Sequence, residues 1–170
     1  RNGKISAISS LLNYCVREEY IDYNPLDKKI KRADISNEQV IDQPFLVEEQ
    51  VIQIREEISK IEKEKPRLLY GLVFELAFST ASRVGAWRQF SEENLDLENR
   101  LFSGIREKRG KIRELAFSIK AQEVVKQWIE YKRINNINTP AMFPSFQNGE
   151  WTFMSKGGLQ KIAKNIFKLI

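Results

Sequence analysis

Residues 76–100, LAFSTASRVGAWRQFSEENLDLENR, decide the fold. Reading back from this stretch, Leu68, Leu69, Leu72, Val73, Leu76 and Ala77 give an almost continuous apolar run, which predicts a buried central helix. Lys65-Pro66 opens that helix, since proline suits a first helical turn. It is expected to end at Ser79-Thr80. A turn of small residues, Ser79 to Ser82, then presents Arg83 at the head of a short helix reaching Phe90.

Downstream, Leu101 to Glu107 and Lys111 to Phe117 are short runs joined across Lys108-Arg109-Gly110, the pattern of a β-hairpin. Arg-Gly is a weak two-residue turn, so a longer loop is compatible. Ile119 to Ile134 returns to helical spacing with Val124, Val125, Trp128, Ile129 and Tyr131, and an irregular stretch through Pro140, Pro144 and Gly149 follows. Met154 to Ile170 is expected as a last helix, with Leu159, Ile162, Ala163, Ile166 and Phe167 on one side. Upstream, Val51, Ile54, Ile58 and Ile61 predict a helix over 47–61, and the polar, aperiodic residues 31–44 read as a linker. Ile5, Ile8, Leu11, Leu12, Cys15 and Val16 predict a first helix ending near Glu19 or Tyr20, with Asn24-Pro25 marking the turn beyond it. The fold class is therefore mainly α (α+β), with a small antiparallel sheet.

Composition narrows the chemistry. With 170 residues, 42% hydrophobic and 30% charged, the chain can bury one ordinary core, or one core plus a remnant of a neighbouring domain. Histidine is absent, which removes the commonest general base and metal ligand and leaves no zinc site to expect. The single cysteine, Cys15, cannot form an internal disulfide, and a reducing, cytoplasmic setting is expected. The window Leu68 to Phe78 is too short to span a bilayer and contains Glu75. The terminal basic helix is read as packing on the core, so no membrane partner is expected. The net charge of +5 is segregated: acids dominate from Asp34 to Glu64, while Arg106, Lys108, Arg109, Lys111 and Arg113 face only Glu107. Lys156, Lys161, Lys164 and Lys168 follow in the last helix. Such segregation suits a polyanion on one side of the molecule, though two solvated faces of opposite sign account for it equally well.

These segments together resemble the tyrosine recombinases of the phage-integrase family along almost the whole chain. Residues 4–25, KISAISSLLNYCVREEYIDYNP, resemble the closing helix and Asn-Pro turn of the family's core-binding domain. Residues 45–51, FLVEEQV, resemble the stretch that opens the catalytic domain. Residues 76–100 match a buried helix, small-residue turn, arginine and Asp-Leu-Glu-Asn-type run. Residues 105–117, IREKRGKIRELAF, match the basic hairpin. The resemblance implies three parts: the last helix of a core-binding domain in 1–30, a linker in 31–44, and the N-terminal part of a catalytic domain in 45–170.

It also implies the chemistry. A hydroxyl attacking a phosphodiester builds negative charge on the non-bridging oxygens, and without a metal or other cofactor fixed guanidinium groups must balance it. By resemblance Arg83 is the first catalytic arginine, and Lys108, with Lys111 as its close rival, is the hairpin lysine that protonates the departing oxygen. Lys4, Arg88, Arg106, Arg109, Lys111 and Arg113 are candidate contacts to DNA phosphates, although most surface cations meet only water. The sequence departs from the family three residues after Arg83, where Ala86 stands in place of the usual glutamate and Trp87 follows. Trp128, Trp151 and the phenylalanines are read as core, and Tyr14, Tyr20, Tyr23, Tyr70 and Tyr131 as packing residues.

By resemblance the final helix precedes the family's His-x-x-Arg box and nucleophilic tyrosine, so those groups are expected beyond Ile170 and this segment alone is expected to be inactive. The parent protein is expected to cut and rejoin duplex DNA through a 3′-phosphotyrosyl intermediate, as a homotetramer on two sites. The alternatives are a non-catalytic DNA-binding module of the same fold and a helical protein-interaction domain.

Overall fold

The computed structural model describes residues 2–26, 46–107 and 110–170, with side chains from residue 7 onward. The proposed linker, 31–44, and the hairpin residues Lys108 and Arg109 lie outside the described residues. The chain divides into two compact units, 1–45 and 46–170.

The first unit contains helix α1 (Asn2–Arg17). The helix closes with Glu19 at φ 60°, Glu19 N–H donating to Val16 O and Tyr20 N–H to Cys15 O, a pairing that satisfies two of the last carbonyls. Asn24 then folds the chain back: it is buried, its Nδ2 donates to Asn13 Oδ1 at 2.6 Å and to Ser9 Oγ at 3.3 Å, and its Oδ1 accepts from Leu26 N–H. The Asn-Pro turn seen in the sequence is thus a side-chain lock on α1. Ile8 and Leu11 of the expected apolar stripe are exposed, as are Tyr14, Tyr20 and Tyr23, so these tyrosines are not the packing residues they were expected to be.

The second unit runs α2 (Glu48–Ser59), α3 (Glu64–Thr80), α4 (Val84–Trp87), a 3₁₀ turn (Glu92–Asn94), β1 (Leu95–Asp96), β2 (Leu101–Arg106), β3 (Ile112–Ala116), α5 (Ile119–Ile134), β4 (Pro144–Gln147), β5 (Glu150–Phe153) and α6 (Lys156–Ile166). It is mainly helical, with an antiparallel sheet in the order β1-β2-β3. Helix α3 is central: Leu72, Val73 and Leu76 are buried, and it packs on α2, α5 and α6. Each such side chain contributes roughly 1.5–3 kcal/mol on burial. The sheet adds Phe102, Ile105 and Leu115, and Phe90 stacks on Phe102 with ring centroids 4.2 Å apart. Between Phe102 and Ile105 the register slips, and Gly104 takes φ 68° there, a conformation that costs other residues strain.

Two charged groups are built into this core. Glu75 is buried on α3 and receives both Nε and Nη2 of Arg55 from α2, at 2.7 and 2.9 Å. That bond, with Glu75's charge beside it, raises the Arg55 pKa. Lys132 is buried at the end of α5, donating to Glu92 Oε1, Thr139 O at 2.6 Å and Ala141 O at 2.9 Å. It ties α5 to the 3₁₀ turn and to the segment that crosses behind Phe90. Trp128 is fully buried as expected, its Nε1 donating to Met142 O at 2.8 Å.

Several expectations are corrected. The stretch after Pro140 is not irregular throughout: β4 and β5 form a hairpin, because Asn148 (φ 52°) and Gly149 (φ 85°) both accept the left-handed backbone of a tight turn. The short helix spans only 84–87 and α6 stops at Ile166 rather than Ile170. Trp151 is half-buried on the β4–β5 hairpin, and Phe78, Phe146, Phe153 and Phe167 are exposed, so they are not core residues. Phe78, Phe167 and Trp87 instead border an apolar hollow of about 290 Å³ beside α3 and α6. Among the described residues no helix is long and apolar enough to cross a membrane.

Candidate nucleic-acid interface

The turn between α3 and α4 is stitched by hydroxyl groups. Ser79 Oγ and Thr80 Oγ1 donate back to Glu75 O and Leu76 O at 2.6 Å, and Thr80 Oγ1 lies 2.8 Å from Ser82 Oγ. Ala81 takes φ 48°, which turns the chain out of the helix. Trp87 then reaches back, its Nε1 3.0 Å from both Ser82 O and Ser82 Oγ. The peptide entering Arg83 is therefore fixed from both sides. Arg83 itself is the extended residue that starts α4, and it is exposed. It has no ion pair among the described residues.

The hairpin is registered against this turn. Gln89, just past α4, exchanges two hydrogen bonds with the Arg106 peptide at the end of β2. Beyond it Glu107 N–H donates to Lys111 O at 2.8 Å and Gly110 N–H to Glu107 O at 3.1 Å, which joins the ends of β2 and β3 across the hairpin. Arg83, the backbone of α4, Arg106, Glu107, Lys156 and Gln160 line one open cleft of about 510 Å³. Glu107, the only carboxylate among the described residues of that lining, lies 3.3 Å from Arg113 Nε.

The structure thus brings Arg83 and Arg106 together. Arg113 sits beside Glu107 and not in the cleft lining, Arg88 and Lys111 are exposed outside it, and Lys108 and Arg109 lie outside the described residues. Lys4 is on α1, in the other unit, and its side chain is likewise outside them. Three participants were missed from sequence: Gln89, Gln160 and Lys156. Lys156 was noted only as one of four lysines in the last helix, and nothing in its spacing marks it off from Lys161, Lys164 or Lys168. Among the described residues no cluster of His, Cys, Asp and Glu could hold a metal ion. What the cleft can do chemically is oppose negative charge with fixed cations.

The helical core and the small antiparallel sheet have the architecture of a tyrosine-recombinase catalytic domain. Residues 44–170 match the Phage integrase family, and the chain belongs to that family. Among solved structures it resembles the Tn1549 transposon integrase (residues 82–397) in complex with circular intermediate DNA, with a TM-score of 0.65 at 16% identity over 98% of this chain and 57% of that one. It also resembles XerA recombinase (TM-score 0.59, 13% identity, 74% of this chain and 43% of that one). A lambda integrase dimer bound to a COC′ core site gives a TM-score of 0.55 at 17% identity over 96% and 43%. The chain spans about half the length of these structures. No curated protein matches it in sequence.

Proposed function

We propose that this chain is part of a site-specific DNA recombinase, comprising the last helix of a core-binding domain, a linker and the first part of a catalytic domain. Its substrate is duplex DNA, and the whole protein acts through a 3′-phosphotyrosyl intermediate. The observation that carries the reading is that Arg83, exposed and without an ion pair among the described residues, shares a cleft with Arg106 and Glu107, the residue before Lys108. In the reaction a tyrosine hydroxyl, supplied by the rest of the protein, attacks the scissile phosphorus. A phosphorus–tyrosine oxygen bond forms as the bond to the 5′ oxygen breaks. Arg83 balances the charge that builds on the non-bridging oxygens, and a hairpin lysine, Lys108 or its rival Lys111, protonates the departing 5′ oxygen. The bond exchanged is conserved as a phosphodiester, so resealing reverses the same steps. The protein works as a homotetramer on two DNA sites, in the cytoplasm.

The test uses the full-length protein on a nicked duplex that traps the covalent intermediate. The tyrosine-linked adduct is expected with the native sequence and is lost in Arg83→Ala with duplex binding retained. An adduct that forms equally well without Arg83 overturns the assignment. Binding without any adduct favours a non-catalytic DNA-binding module.

A further inference from the structure

We propose that Lys156, with Gln160 one turn further along α6, is a phosphate-positioning site that holds a DNA backbone phosphate next to the one facing Arg83. This rests on the DNA reading above and adds to it a residue on a different element. Lys156 and Gln160 are four residues apart, so they share one face of α6, and both line the cleft opposite the hairpin base. Both are exposed, and Lys156 has no carboxylate partner among the described residues.

The first turn of α6 fixes the backbone that carries this lysine. Ser155 Oγ accepts from Gly158 N–H at 3.1 Å, and Met154 N–H donates to Phe143 O at 2.9 Å. Leu159, fully buried, anchors the same turn to the core. Gly158 leaves room for Met154: a Cβ there would stand 2.7 Å from Met154 Cγ.

Charge balance points to the ligand. Arg83, Arg106 and Lys156 converge from three separate elements on one concavity, and its single carboxylate, Glu107, is already beside Arg113. Among the described residues no other carboxylate lines the cleft, which suits a ligand with closely spaced negative charges. A DNA strand places one phosphate per roughly 3.4 Å of helix axis. At about 510 Å³ the cleft has room for more than a single phosphate group.

The experiment is a fluorescence-anisotropy titration of the full chain with a short mixed-sequence duplex at several salt concentrations. Each phosphate contact contributes about 0.9 to the slope of log affinity against log salt, so Lys156→Ala is expected to flatten the slope by about one unit. Lys156→Arg keeps it, and Lys126→Ala, which removes an exposed cation of α5 outside the cleft lining, leaves it unchanged. A Lys156→Ala slope equal to the native one overturns the proposal while leaving the DNA reading intact. So does equal flattening by Lys126→Ala, which makes the effect one of net charge. Failure of the unsubstituted chain to bind duplex at any salt overturns both.

Discussion

The side-chain amide of Gln89 and the backbone of Arg106 are paired as if Gln89 were one more residue of the sheet. Gln89 Nε2 donates to Arg106 O at 2.8 Å and Arg106 N–H donates to Gln89 Oε1 at 2.9 Å. Gln89 Nε2 also lies 3.4 Å from Gly85 O. One side chain therefore couples the α4 turn, which begins at Arg83, to the strand that leads into the basic hairpin. Gln89→Ala is expected to lower stability by about 1 kcal/mol and to speed hydrogen exchange at the Arg106 amide. Gln89→Glu keeps the acceptor for that amide but faces Arg106 O with an oxygen, so exchange at Arg106 stays slow while stability still falls. Urea unfolding and amide exchange separate the two variants.

Trp87 braces the turn that leads into Arg83 with an indole N–H held against Ser82. Trp87→Phe keeps most of the ring and leaves Ser82 O without that donor, at an expected cost of about 1 kcal/mol. Trp87→Ala also empties the edge of the apolar hollow beside α3 and costs more, about 3 kcal/mol. A Trp87→Phe variant that melts with the native protein would show that the ring alone, and not its N–H, holds the turn.

The Arg55–Glu75 pair joins α2 to α3 where Glu75 has almost no access to solvent. Arg55→Ala strands that carboxylate and is expected to destabilise the protein by about 3 kcal/mol, at the low end for such pairs because Arg55 reaches water. Replacing both partners, Arg55→Met with Glu75→Leu, is expected to recover most of the loss, as read by chemical denaturation.

Lys132 sits in a cage of three acceptors, two just beyond α5 and one, Glu92, in the 3₁₀ turn. Lys132→Met leaves Thr139 O and Ala141 O without their donor and is expected to cost about 3 kcal/mol. The loss should concentrate in accelerated proteolysis between α5 and β4.

Asp96 closes the turn between β1 and β2: its Oδ2 accepts from Asn99 Nδ2 at 2.8 Å and its Oδ1 from Asn99 N–H at 2.9 Å. The Asn99 side chain, followed by its backbone N–H, holds the carboxyl pKa below the usual aspartate range. A depressed folded pKa means that this contribution to stability is complete above the unfolded value and is lost as pH falls through the folded one. In Asn99→Ala the Asp96 carboxyl is expected to titrate closer to its ordinary value, followed by NMR. An unchanged titration would assign the shift to the backbone alone.

Much of the fold was legible because periodicity is local. The apolar run before Thr80 made α3, the two short runs about Lys108-Arg109-Gly110 made β2 and β3, and Asn24-Pro25 marked a real turn. The β4–β5 hairpin was missed although Asn148-Gly149 signals such a turn, because Pro140 and Pro144 dominated the reading of that stretch. Pro144 is tolerated at the strand's first residue, where the missing N–H does little harm. The exposed phenylalanines were misassigned for a different reason: composition says that Phe78 and Phe167 are apolar, but not that they border a surface hollow.

Sequence alone determined the order of the main helices and the β2–β3 hairpin, the segregation of charge and the position of Arg83 directly after a buried helix. These depend on neighbours within a turn or two, where backbone geometry fixes which side chains share a face. Only the tertiary structure decided that Arg106 and Lys156 share a cleft with Arg83, that Gln89 ties the hairpin to α4, and that Lys132 belongs inside. Those relations join residues far apart in the chain. They arise from α4 packing against α6 and from Gln89 bonding to β2, which no local spacing encodes.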